Sequence, residues 1–147
     1  MRAENGSSAN ARQRARDLLV QALYQWQIGG HDRDELLSQF RASPEFARAD
    51  KRYFRELLGS VIDNAERLDS VIGAAAGRDL RTVDAIGRAV LMLGLEELSS
   101  RADVPPKVVI NEAIELAKRY GPPDCHRFVN AVLDNVANET GRKIIGD

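Results

Sequence analysis

The stretch from residue 83 to residue 98 constrains this chain most, because it is apolar almost all the way round. Val83, Ile86, Ala89, Val90, Leu91, Met92, Leu93, Leu95 and Leu98 leave no continuous polar face. A helix of that kind is stable only when other helices surround it. Thr82 is the predicted N-cap, and the helix should run to about Ser99. The rest of the chain must therefore supply amphipathic partners.

It does so at helical spacing. Asn10 is placed to cap a first helix over residues 10–28, whose Ala15, Leu18, Leu19, Ala22, Leu23 and Trp26 share one face before Gly29-Gly30 stops it. A short second helix is predicted from Asp32 to about Ala42, burying Leu36, Leu37 and Phe40, with Pro44 interrupting the chain nearby. Residues 50–76 repeat apolar side chains at three and four, as one bent helix or two, with Gly59 and the 64–69 region as break points. After the loop 101–106, a helix from about Val108 to Tyr120 should turn Ile110, Ala113, Ile114 and Ala117 inward and end at Gly121. A last helix, capped by Asp124, carries Val129, Val132, Leu133 and Val136 as its core stripe and fades after Val136. No internal repeat or alternating strand pattern occurs, so the expected class is all-α, with six to seven helices. The expected organisation is a flexible tail over 1–9, one helical domain over 10–138 and a loose tail over 139–147.

Composition narrows the function classes. Only 5% of residues are aromatic, so Leu, Val, Ile and Ala must fill the core. The formal net charge of -1 excludes a wholly basic nucleic-acid binder but not a local basic patch, because screening confines such fields to about 8–10 Å. A single cysteine, Cys125, permits no intramolecular disulfide and no cysteine-based metal site, which fits a reducing compartment. Residues 1–17 are polar and contain arginine, and no apolar run reaches the length of a membrane helix, so the expected location is the cytoplasm.

Catalytic patterns are not found. His31 and His126 lack metalloprotease spacing, and Cys125 precedes His126 directly, where helix neighbours point about 100° apart. No phosphate-binding loop occurs, since residues 73–77 read as a helix end. No enzyme activity, no cofactor and no metal are expected.

Recognition chemistry is better represented. Arg12, Arg14 and Arg16 form a basic entrance to the first helix, with Arg12 and Arg16 neighbours on its surface. Guanidinium groups hold phosphates bidentately or stack on bases, although a charged first turn is also simply well solvated. Val20, Tyr24 and Ile28 form an apolar ridge opposite the core face, which another helix or a partner must cover; an exposed Tyr24 ring would support an unstacked base. Phe128 stands at the edge of the last helix among His126, Arg127 and Asn130, either as core or as a second stacking ring. Glu115 and Arg119 are a favourably oriented i, i+4 pair on the polar face of the fifth predicted helix.

Three blocks then carry a resemblance. ARQRARDLLVQALYQWQ (11–27), YFRELLGSV (53–61) and DVPPKVVINEAIELAKRYGPPDCHRFVNAVLDNVA (103–137) resemble the NusB family, in order along the chain. The pattern VxINEAIELAK followed by FVNxVLD is the most specific part. The resemblance implies an all-α NusB-like fold of two packed small helical bundles, the first at 10–77 and the second at 82–138. It also implies a non-enzymatic transcription antitermination factor that binds boxA-type single-stranded RNA of ribosomal transcripts. Its implied partners are the small-subunit ribosomal protein NusE and an RNA polymerase antitermination complex.

Carried over residue by residue, the RNA-binding candidates are Arg12, Arg14, Arg16, Tyr24, Asp124 and Phe128, with Gln13 standing where the family often has another basic residue. The strand is expected over the N-terminal helix and the start of the last one. Asp124 should lower RNA affinity by repelling phosphate. The partner-binding candidates are Arg88, Glu112, Glu115 and Arg119.

Two rivals remain. The helical domain of ribosomal RNA methyltransferases has the same fold, but those enzymes add an α/β domain with a glycine-rich cofactor loop, absent from these 147 residues. The other is a helical protein–protein interaction module, or a homologue that self-associates as a homodimer and binds RNA weakly.

Overall fold

The structure, a computed structural model, describes residues 2–140. Seven α-helices make up the described residues together with two short 3-10 turns. In order they are α1 (Arg2–Gly29), α2 (Arg33–Arg41), a turn at Pro44–Arg48, α3 (Lys51–Asp63), α4 (Ala65–Ala76), a turn at Leu80–Thr82, α5 (Ala85–Ser100), α6 (Pro106–Tyr120) and α7 (Cys125–Thr140). The chain divides into two compact units, one ending at Ile62 and one beginning at Asp63. The first bundle expected from sequence ends later, at residue 77. The division falls earlier because α4 packs on α5 and α7.

In the N-terminal unit, α1 begins at Arg2 rather than at Asn10, so helical backbone runs through the small polar segment. Ala3, Glu4 and Ala9 are good helix formers, which suits that extension. Met1 and residues 141–147, part of the two tails expected from sequence, lie outside the described residues. Gly30, with φ 70, takes the left-handed conformation that ends α1. The next helix starts with a capping box: the Asp32 side chain accepts from the Glu35 backbone N–H, and the Glu35 carboxylate accepts from the Asp32 N–H, both at 2.9 Å. Phe54 of α3 sits at the centre, edge-on to Phe46 at 5.5 Å and tilted against Phe40 at 5.7 Å.

In the C-terminal unit, α5 meets the expectation of a central helix. Every residue from Ala89 to Leu98 is buried, Glu96 and Glu97 included. Its cap is Asp84, not Thr82: the Asp84 carboxylate accepts from the Gly87 N–H at 2.8 Å. Thr82 is occupied one turn earlier, its hydroxyl donating to the Asp79 carbonyl. Gly87 is needed here, because a Cβ would stand 2.9 Å from the Asp84 carboxylate and 3.5 Å from the Cys125 sulfur.

The long amphipathic run breaks at Asn64, inside one of the two regions predicted. Asn64 makes no side-chain cap to α4, and its amide N–H donates to the buried Glu96 at 3.3 Å. The other predicted break, Gly59, lies within α3, where a Cβ would come 3.1 Å from the Arg33 guanidinium. On α6 the buried stripe is Val109, Ala113, Leu116 and Ala117. Ile110 and Ile114 are only half-buried, so the inward face is rotated from the one expected. All four apolar residues predicted for the α7 stripe are buried.

Candidate nucleic-acid interface

The basic entrance of α1 divides on folding. Asp50, in the link before α3, donates its backbone N–H to the Ala11 carbonyl at 2.9 Å and accepts from the Tyr53 N–H at 3.0 Å. These bonds bring Tyr53 against α1. The Arg12 guanidinium lies 4.6 Å from the Tyr53 ring centroid, and its Nε is 3.9 Å from the Asp50 carboxylate. Arg16, one turn on, lies 5.6 Å from the same ring and is only 4% exposed. The predicted Arg12–Arg16 neighbour pair therefore flanks an internal ring. Arg16 is thus buried where an exposed basic entrance was expected.

Arg14 points elsewhere. It is exposed and has no ion-pair partner among the described residues. Tyr24 stands about 15 Å further along α1 at helical rise and is 39% exposed. Of the apolar ridge, Val20 is fully buried while Ile28 is 64% exposed, so neighbouring elements cover only its first member.

In the C-terminal unit, Asp124 directly precedes α7, and its backbone carbonyl accepts from the Arg127 N–H at 3.0 Å. Its backbone is left-handed, with φ 67, and its exposed carboxylate lies 3.7 Å from Nε of Arg127. A carboxylate already facing a cation repels a phosphate less than a bare one would. Phe128 is half-buried, and the guanidinium of the exposed Arg78 lies 4.1 Å from its ring centroid. Sequence reasoning missed Arg78. It follows Gly77, the left-handed C-cap of α4, where no helical periodicity points to it.

The partner candidates also separate. Arg88 is engaged within its own unit, its Nε and Nη2 donating to Asp69 at 2.9 and 2.6 Å. On α6, Glu112 is half-buried, Glu115 pairs with Lys118 at 3.6 Å, and the exposed Arg119 lies 5.8 Å from the Tyr120 ring.

One thiol has a shifted acidity. Burial and then the nearby Asp84 carboxylate push Cys125 up to about 11. The thiol is thus held neutral and unreactive. Among the described residues no group of three metal-ligating side chains comes together, and no helix is long and apolar enough to cross a membrane.

Comparison with known proteins agrees with the architecture. A solved structure of T. maritima NusB superposes with a TM-score of 0.78 at 31% identity, covering 87% of this chain and 91% of that one. The transcription antitermination protein NusB of Edwardsiella ictaluri is 49% identical over 127 residues, 86% of this chain and 91% of that protein. The protein of the same name from Serratia proteamaculans is 48% identical over 133 residues, 90% of this chain and 96% of its own length. The profile of the NusB family matches residues 13–138. With seven helices in the described residues, a matching solved fold and relatives aligned over nearly their whole length, the chain belongs to the NusB family.

Proposed function

We propose that this chain is a transcription antitermination factor that binds boxA-type single-stranded RNA of ribosomal transcripts together with ribosomal protein NusE, within an RNA polymerase antitermination complex. The observation that carries the reading is the near-full-length identity of about half with relatives named for transcription antitermination. In this reading the protein performs no chemistry and works in the cytoplasm as an adaptor.

Each unit offers its own RNA contacts. From the N-terminal unit come Arg14, the partly exposed Arg12 and the exposed Tyr24. From the C-terminal unit come Phe128 with Arg78, and Asp124 as a negative modulator paired with Arg127. Base stacking on a ring contributes about 1–3 kcal/mol, and each phosphate neutralised adds about 0.7 to the salt slope for a single strand. Burial of Arg16 lowers the number of available cations, which favours weak binding by the protein alone. NusE is assigned to the region of Glu112, Glu115 and Arg119. Arg88, held by Asp69, acts there by supporting the surface. Linkage then requires RNA and NusE each to raise affinity for the other by the same factor.

The test is a titration of boxA RNA with and without NusE, with salt varied. Tighter binding with NusE, and equal reciprocal enhancement, is the expected result. Indifference of RNA affinity to NusE overturns the reading. A self-associating reading has one specific observation in its favour, the exposed Tyr24 and Ile28 one turn apart on α1. Sedimentation with and without RNA separates the two.

A further inference from the structure

The N-terminal unit holds a cavity of about 490 Å³ lined by none of the residues proposed above for RNA or partner binding. Its walls are apolar and its rim is basic. Phe46, which is buried, and Leu37, which is half-buried, line it together with Ala47. Arg41, Lys51 and Arg55, all exposed, supply the charge. They come from three places in the chain: the last turn of α2, the first residue of α3, and the following turn of α3.

The acidic side chains next to these cations in sequence bond to other groups. Glu45 accepts from the Ser43 hydroxyl, which holds its carboxyl below the usual range. Asp50 is engaged by Tyr53 and Arg12, and Glu56 by Arg52. Arg41 and Arg55 consequently have no ion-pair partner among the described residues. Lys51 donates to the Ala47 carbonyl at 3.2 Å, with its ammonium 5.9 Å from the Phe46 ring.

We propose that this cavity is a docking site for an acidic peptide segment of a partner protein, which inserts one apolar side chain between Leu37 and Phe46 and sets its carboxylates on Arg41 and Arg55. Charge complementarity selects the partner. Two guanidinium forks match carboxylates bidentately, and the cavity has room for a single large apolar anchor. A nucleic-acid strand fits less well. Phe46 is 7% exposed and already meets Phe54 edge-on, so it presents no open ring face on which a base could stack.

The test is an amide-shift titration of the whole chain with the peptide acetyl-Asp-Asp-Phe-Asp-Asp-amide. Two controls are used, one with Asn in place of every Asp and one with Ala in place of Phe. The expected result is shifts confined to the end of α2, the Pro44–Arg48 turn and the start of α3. Binding should weaken about tenfold or more in Arg41→Gln/Arg55→Gln, because two charge-assisted bonds are removed. Either control peptide should also bind more weakly. Both arginines are exposed, and a urea midpoint close to that of the unaltered chain verifies the fold of the variant. If it is not close, Arg41→Lys/Arg55→Lys replaces it, and partial retention of binding is then expected. The proposal is overturned by absence of shifts at millimolar peptide, or by equal binding of the Asn peptide. It also fails if the arginine variant binds undiminished, or if an RNA oligonucleotide displaces the peptide and produces the same shifts.

Discussion

The guanidinium of Arg78 lies 4.1 Å from the centroid of the Phe128 ring, so one face of that ring is already covered by a cation. An RNA base approaching Phe128 meets a composite of ring and guanidinium. Arg78→Ala should lower stability by less than about 1 kcal/mol, the size of an exposed cation–π contact. It should also weaken RNA binding and reduce the salt slope by about 0.7. Filter binding at several salt concentrations checks this, and an unchanged slope would remove Arg78 from the interface.

The two arginines on either side of the second turn of the basic stretch should behave oppositely. Arg14→Ala is expected to leave the urea midpoint within about 0.5 kcal/mol of the unaltered chain while weakening RNA binding. Arg16→Ala should cost about 1–3 kcal/mol of stability, because a buried stem and its contact with Tyr53 are lost. Paired denaturation and RNA titrations distinguish them, and equal stabilities would contradict the buried placement of Arg16.

Removal of the α5 cap has a defined effect. Asp84→Ala deletes the bond to the Gly87 N–H and should cost about 0.5–2 kcal/mol. The same change removes a negative charge near Cys125, so the thiol should titrate at lower pH. Thermal melts and thiol titration read the two consequences independently.

Cys125 supplies a pH prediction. Its folded pKa is raised from 9.0 to about 11, so the native state keeps its proton where the unfolded state releases it. The associated stability is fully present below about 9 and declines as pH rises from about 9 to about 11. Iodoacetamide at mildly alkaline pH should label the native chain slowly and the urea-unfolded chain fast. Equal rates would show that the thiol is not held neutral by burial.

Arg88 should prove structural first. Arg88→Ala leaves the partly buried Asp69 carboxylate without its 2.6 Å partner, and stability should fall by about 1–3 kcal/mol. A variant as stable as the unaltered chain, yet defective in NusE binding, would instead return Arg88 to the partner surface.

Where periodicity and local chemistry agree, the fold was legible in the sequence. The apolar run of α5 announced its central place, Gly29-Gly30 and Gly121 marked helix ends, and the α7 stripe was read without error. Errors arose where two residues compete for one role or where a long side chain has two options. Thr82 and Asp84 are both capping types, and only the Leu80–Thr82 turn decides between them. Arg16 reads as surface because guanidinium groups usually are, and its burial depends on Tyr53 arriving from α3. The Arg78–Phe128 contact joins an α4 flank to α7 and leaves no trace in local spacing.

The amide of Asn64 reaching the Glu96 carboxylate ties two distant positions to a common fate. A stronger helix former at 64 would look harmless by local propensity, yet it would strand an acid inside the C-terminal unit. Among homologues these two sites should drift together or not at all, so any sequence that loses one side chain is expected to have surrendered the other.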